Sequence, residues 1–295
     1  MNWNVAHRIA GIAAVQAHRD LAVDRSGYVP VHAALRTAGL DAMARPMPRL
    51  FGVYFSPHDE GPAVLLNSGL DVITQRHTAA HELGHHCQGD SSSYDQELDP
   101  SARWGNGSWP EEEKIAEAFA AWFLMPRPAV LGALQRIAGG RPGHPEHAYL
   151  VARALGTSYA GTVRHLARLS QLGRSQAEQW LKIPPAALKR SLTGGADVGA
   201  RPHVHVVTAE THGQRLHVDV GDVLVLHLPG ARFCPLPKTL ASWPHSPLGT
   251  HRAVEVTDDL GSECLVNVDV PDSVRPLQLT LARESPRHGI HDVWP

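Results

Sequence analysis

The alternation of apolar and polar positions changes period more than once along the chain, and each period predicts a different kind of element. IAGIAAV, from Ile9, sits between the polar neighbours His7, Arg8 and His18 and predicts an amphipathic opening helix. Two short apolar runs follow, LFGVYFS from Leu50 and AVLLNS from Ala63, separated by the turn-rich PHDEGP; they predict a pair of strands. Helical spacing returns in HTAAHELGHH, His77 to His86, and again in PEEEKIAEAFAAWFLMP, where Ile115, Phe119, Trp122 and Phe123 supply a core face. Ser108 and Glu111 stand at capping-box spacing, Pro110 falls in the expected first turn, and Pro126 stops the helix. Between these two helices QGDSSSYDQELDPSARWGNGSW has no period. So long a structureless stretch is uncommon in a compact domain and is expected to lie near the cleft and gate it.

ARALGTSYAGTVRHLARL, from Ala152, has the look of a helix-turn-helix, with Gly156 at the turn and Thr162, Arg164, His165 and Arg168 on the second helix. TGGADVGARP, from Thr193, reads as a linker. Beyond it the period falls to two in RLHVDVGDVLVLHLPG, AVEVTDDLGSECLVNVDV and LQLTLARES, which predicts a small antiparallel sandwich or barrel. The expected chain is therefore α+β in three parts: residues 1–130, a basic helical segment 131–192, and a C-terminal β domain 203–295.

With 43 % hydrophobic residues the chain can bury a proper core. No run approaches the roughly 18 apolar residues of a membrane span, so no membrane partner is expected. Three cysteines at unrelated spacings fit a reducing cytoplasm better than a disulfide framework. The net charge of -2 conceals a sorting of charge: residues 1–126 hold 9 basic and 15 acidic side chains, residues 127–192 hold 10 and 2, and residues 193–295 hold 8 and 12. The basic middle segment implies either a surface for an acidic partner, such as DNA, or a solvated helical face.

The candidate chemistry lies in HTAAHELGHH. On a helix His81 and His85 share one face and can grip one ion, with Glu82 beside it. His-Glu-x-x-His asks for two neutral imidazoles on Zn²⁺ and a carboxylate that takes a proton from water. Such a site needs a third protein ligand and one open position; Glu113 and Glu117 share a face of the next helix, and spacing alone leaves both open. His77 is read as a packing or capping group at the helix start. His86 points about 100° from His85, and Cys87 about 200° away, as a spectator thiol. Tyr54, Tyr94 and His86 are candidates for stabilising an oxyanion. The adjacent strands offer an edge to which an extended peptide could add.

VLLNSGLDVITQRHTAAHELGHH followed by EEEKIAEAFAAWFLMP resembles the ImmA/IrrE family of zinc metallo-endopeptidases, over about residues 30 to 130. Asn67, Ser68, Arg76 and Thr78 fit the first motif, with His77 where an aromatic is usual. Ala116, Phe119, Ala120, Leu124, Met125 and Pro126 fit the second, which puts the ligand glutamate at Glu113 and replaces a usual Asn by Glu117. The resemblance implies a zincin-like metallopeptidase domain with a gluzincin-type ligand set of His81, His85 and Glu113, one Zn²⁺ per chain and Glu82 as general base. It further implies limited proteolysis of a protein substrate, a helix-turn-helix transcriptional repressor in stress response or mobile-element control. The C-terminal domain is expected to be regulatory or a sensor, and Thr162, Arg164 and Arg168 are candidate contacts for nucleic acid or a partner. The rival expectation is a DNA-binding sensor whose zinc site is not catalytic.

Overall fold

The structure, a computed structural model, describes residues 1–59, 61–94, 109–245, 247, 252–271 and 273–283. Their contacts group into two units, residues 1–132 with 155–161, and residues 133–154 with 162–284.

The first unit opens on α1 (Trp3–Asp20), which begins six residues ahead of the apolar segment that predicts it because the Asn2 side chain caps Val5 N–H at 3.0 Å. Ala6, Ala10, Ala14 and Ala17 are all buried on one face of α1. So small a face lets another helix come close, and α1 packs along α4 (Glu111–Leu124), whose Phe119 and Phe123 are fully buried. His18 stacks on Phe123 at 4.6 Å and lies 2.9 Å from the Phe123 carbonyl oxygen, to which its Nε2–H donates. After α2 (Val31–Thr37) come β1 (Asp41–Arg45), β2 (Gly52–Phe55), β3 (Ala63–Asn67), α3 (Val72–Gln88) and the two-residue β4 (Ser93–Tyr94).

The sheet order is β1-β3-β2-β4. β2 and β3 are the two expected strands, and they pair antiparallel with Tyr54 opposite Val64. β1 was not legible in the periodicity, and it runs parallel to β3. Ser108 and most of the loop expected to gate the cleft lie outside the described residues. The second helix starts at Glu111 with Pro110 at the cap position and no side-chain cap bond, so Pro110 precedes the first turn rather than lying in it.

The second unit contains helical residues from α5 (Arg127–Ala138), α6 (Pro145–Leu155) and α7 (Tyr159–Arg168), then α8 (Arg174–Trp180) and α9 (Pro185–Leu192). α6 and α7 are joined by a short turn in which Gly156 takes a left-handed φ of 63°. Eight strands follow: β5 (Val204–Val207), β6 (Arg215–Val218), β7 (Val223–Leu226), β8 (Arg232–Phe233), β9 (Leu240–Ser242), β10 (Ala253–Val256), β11 (Glu263–Asp269) and β12 (Leu277–Arg283). They form two four-stranded sheets, β5-β7-β10-β9 and β6-β12-β11-β8, and one apolar cluster draws side chains such as Leu224, Val254, Val266 and Leu281 from both. The expectation of antiparallel pairing needs correction, because β5 runs parallel to β7 and β6 parallel to β12.

The stretch that reads as a linker is tied down. The buried Lys189 ammonium donates to the carbonyl oxygens of Gly199, Ala200 (3.0 Å) and Pro202 (2.9 Å), and the Tyr149 hydroxyl accepts from Val204 N–H at 3.0 Å. Asp222, also buried, accepts from His203 N–H (2.7 Å), Asp219 N–H (3.0 Å) and His205 Nε2 (3.0 Å). Buried polar groups partnered this fully fix a conformation instead of loosening it. No helix among the described residues is long and apolar enough to cross a membrane.

Candidate metal centre

α3 carries the histidines, and both of its ends are set by local chemistry. Asp71 caps the start, accepting from Thr74 N–H at 3.0 Å and from the Thr74 hydroxyl at 2.6 Å. Gly89 ends it in the left-handed region at φ 71°, where a side chain would be strained. That turn brings Asp90 back over the last helical turn, so that Asp90 N–H reaches the His85 carbonyl at 3.1 Å while its carboxylate accepts from His85 Nδ1 at 2.8 Å. The proton is thereby fixed on Nδ1, and Nε2 of His85 is left with its lone pair for an electrophile.

Gly84, between the two histidines, is where α3 and α4 cross. A Cβ there would stand 3.1 Å from Phe119 Cδ1 and 3.2 Å from Ala116 Cα, so only a glycine permits this approach undisturbed. The close crossing delivers Glu113 to the imidazoles: its Oε2 lies 3.2 Å from His81 Nε2 and its Oε1 3.5 Å from His85 Nε2, while the two Nε2 atoms are 3.1 Å apart. His81, His85 and Glu113 form the one group of three converging ligand atoms among the described residues, all within 4.8 Å of one another. Of the two glutamates left open by spacing, Glu113 joins this group and Glu117 stands outside it.

These side chains fit a tetrahedral divalent ion. Bonds of about 2.0–2.2 Å place neighbouring ligand atoms roughly 3.3–3.6 Å apart on a tetrahedron, and the two Nε2 atoms at 3.1 Å and the His81 Nε2 to Glu113 Oε2 pair at 3.2 Å come close to that. The donor chemistry agrees, with two imidazole nitrogens and a carboxylate that stays ionised. Burial alone would raise the Glu113 carboxyl, but with no ion between them protonated His81 and His85 rings donate to it and hold it well below the usual carboxylate range; a cation at the trio would take the place of those Nε2 protons. For His85 burial acts to lower the pKa, and the hydrogen bonds to Asp90 and Glu113 more than reverse it, leaving it raised.

Glu82 is fully buried on the same helix, and its carboxylate lies against β2: a Cβ on Gly52 would come within 2.6 Å of Oε1. The buried Tyr54 lays its ring nearly parallel to His85 at 6.2 Å, and its hydroxyl donates to His86 Nδ1 at 3.2 Å. Burial lowers the pKa of His86 and so favours the neutral ring that can accept this bond. Tyr54 and His86 therefore engage each other. The Tyr94 side chain lies outside what the structure describes. Cys87 is exposed, and no disulfide joins the three cysteines. On α7, Thr162 is buried, Arg164 half-buried and Arg168 exposed.

Sequence reading missed Asp90, Gly52 and the purpose of Arg76. The Arg76 guanidinium is buried at the start of α3, where it donates to the carbonyls of Val29 (2.9 Å) and Gly156 (3.1 Å), bonds the Tyr28 hydroxyl, and sits 3.8 Å over the Tyr28 ring. Asn67, a motif residue, closes the loop before the helix, accepting from Met47 N–H and Gly69 N–H and donating to the Leu50 carbonyl at 2.8 Å.

A helix-borne pair of histidines, a crossing helix that supplies a glutamate and a flanking sheet together define a metallopeptidase-like domain. Residues 38–141 match the family model of peptidases described as the IrrE N-terminal-like domain. Over that stretch, about a third of the chain, the sequence is similar to the ImmA/IrrE family that the two motifs anticipate. No curated protein matches the chain.

Proposed function

We propose that the protein is a zinc-dependent endopeptidase that makes limited cuts in a protein substrate, a helix-turn-helix transcriptional repressor acting in a stress response or in control of a mobile element. The convergence of His81, His85 and Glu113 around one point, with Glu82 on the same helix, carries the reading. The three ligands leave one vertex of a tetrahedron for water or substrate, and a zinc ion bound there supplies Lewis acidity. Asp90 keeps His85 in the tautomer that binds through Nε2. Glu82 accepts a proton from the attacking water and delivers it to the departing amine nitrogen as the amide bond breaks. Its burial, in a pocket floored by Gly52, keeps bulk water from competing for that proton. An extended substrate would add to the sheet as a further strand beside the metal helix.

The rival reading, a DNA-binding sensor with a structural zinc, draws on the basic segment 131–192 and on Arg164 and Arg168 of α7, but burial of Thr162 leaves it less support. One substitution separates the two. Glu82→Gln is expected to keep stoichiometric zinc by elemental analysis and to lose cleavage of the repressor encoded nearest in the genome, followed by mass spectrometry of fragments after co-expression. Unchanged fragments from Glu82→Gln would reject the peptidase assignment.

A further inference from the structure

The two imidazoles of the trio each have a second nitrogen to account for. His85 Nδ1 is taken by Asp90. On the Nδ1 side of His81 stands Glu117, its Oε2 3.6 Å from His81 Nδ1 and 2.9 Å from His77 Nε2. His77 lies one turn before His81 on α3, and Glu117 one turn after Glu113 on α4. Glu117 is buried, so it is not a solvated surface charge, and it stands outside the converging ligand atoms, so it is not a fourth ligand. The His77 ring donates to it and holds one carboxylate oxygen facing the metal histidine. His77 and Glu117 are also the two positions at which the chain departs from the ImmA/IrrE pattern, and they touch each other.

We propose that Glu117, held by His77, is the positioning carboxylate of His81 and sets how tightly the His81–His85–Glu113 trio retains a divalent cation. A carboxylate facing Nδ1–H favours the tautomer that presents Nε2 inward, orients the ring and strengthens Nε2 as a donor. With Asp90 behind His85 and Glu117 behind His81, both imidazoles are aimed before any ion arrives. The inference rests on the preceding reading only in that the trio holds a cation; it does not require cleavage.

The test is zinc affinity of the full chain, stripped of metal and titrated against a chromophoric chelator, for the wild type, Glu117→Gln, His77→Phe and the double variant. Glu117→Gln is expected to weaken zinc binding by about 10- to 100-fold, the usual loss when such a partner is removed. His77→Phe should cost less, and the double variant no more than Glu117→Gln alone, since His77 acts through Glu117. The denaturation midpoint of the metal-free protein, measured in parallel, should shift far less than affinity does. Zinc binding by Glu117→Gln within twofold of wild type overturns the inference, as do losses that simply add in the double variant. Should Glu117→Gln fail to fold, His77→Phe decides: weakened zinc binding supports the proposal and unchanged binding rejects it. A wild type that binds no zinc would instead remove the metallopeptidase reading, and this inference with it.

Discussion

At the scale of single residues, Gly52 is as much a part of the site as the side chains it faces. A methyl group there would meet Thr78 Cγ2 at 2.5 Å and Glu82 Oε1 at 2.6 Å, and the carboxylate is the more mobile of the two. Gly52→Ala is therefore expected to displace Glu82 and cut peptidase activity by about 100-fold, the cost of a misplacement near 1 Å. Zinc content should be unchanged, and activity within a few-fold of wild type would show that Glu82 is not held against this strand. His81, Glu82 and His85 were legible because their relation is local: a spacing of four on one helix fixes a face. From spacing Glu113 was legible only as one of two, since the choice depends on where α4 crosses α3, and it was the family resemblance that singled it out. Asp90 was invisible for a related reason. Its approach to His85 is made by the left-handed turn at Gly89, and a Gly-Asp pair after a helix carries no mark of what the Asp will reach.

Elements raise a different question, which is how two helices come near enough for a glutamate to meet histidines. Gly84 answers it. Gly84→Val would drive a branched side chain into Phe119 and the Ala116 backbone, and is expected to destabilise the fold by on the order of 3 kcal/mol through overpacking. Zinc affinity should fall as well, because Glu113 moves with α4. A denaturant midpoint and a zinc titration both at wild-type values would mean that the crossing tolerates the bulk. Among the strands, β2 and β3 were readable from their dense apolar runs. β1, DAMAR, has no β-branched or aromatic residue and becomes a strand only because β3 offers it a parallel partner. The same limit explains the parallel pairs of the C-terminal sheets, for alternation reports which face is buried and is silent on direction.

For the whole molecule, buried histidines set the response to acid. Burial, reinforced by the charges of Arg76 and Arg36, lowers His32 to about 3, and burial with the charge of Arg153 does the same to His203. Both are neutral when folded and take up protons near 6.5 when unfolded, so their contribution is complete above that value and is lost as pH falls towards about 3. His85 is raised and acts in the opposite sense, adding stability below 6.5 that is lost as pH rises through its folded value. Burial lowers His18, His86 and His147 in the same sense as His32 and His203, so the neutral rings set the net direction. Denaturant titrations of the metal-free protein should show stability declining from pH 7 to pH 5, and a flat or rising profile would contradict the burial of these rings.

Arg76 draws on carbonyls about eighty positions further along the chain, at Leu155 and Gly156, and on Tyr28 and Val29 near the beginning. All four lie beyond the segment 38–141 that carries the family signature. The anchoring of the metal helix thus draws on residues outside the stretch that the family model matches. During synthesis the guanidinium has to wait for its distant acceptors, so the first unit reaches its finished form only after the ribosome has passed well beyond Glu113, the last of the three converging side chains.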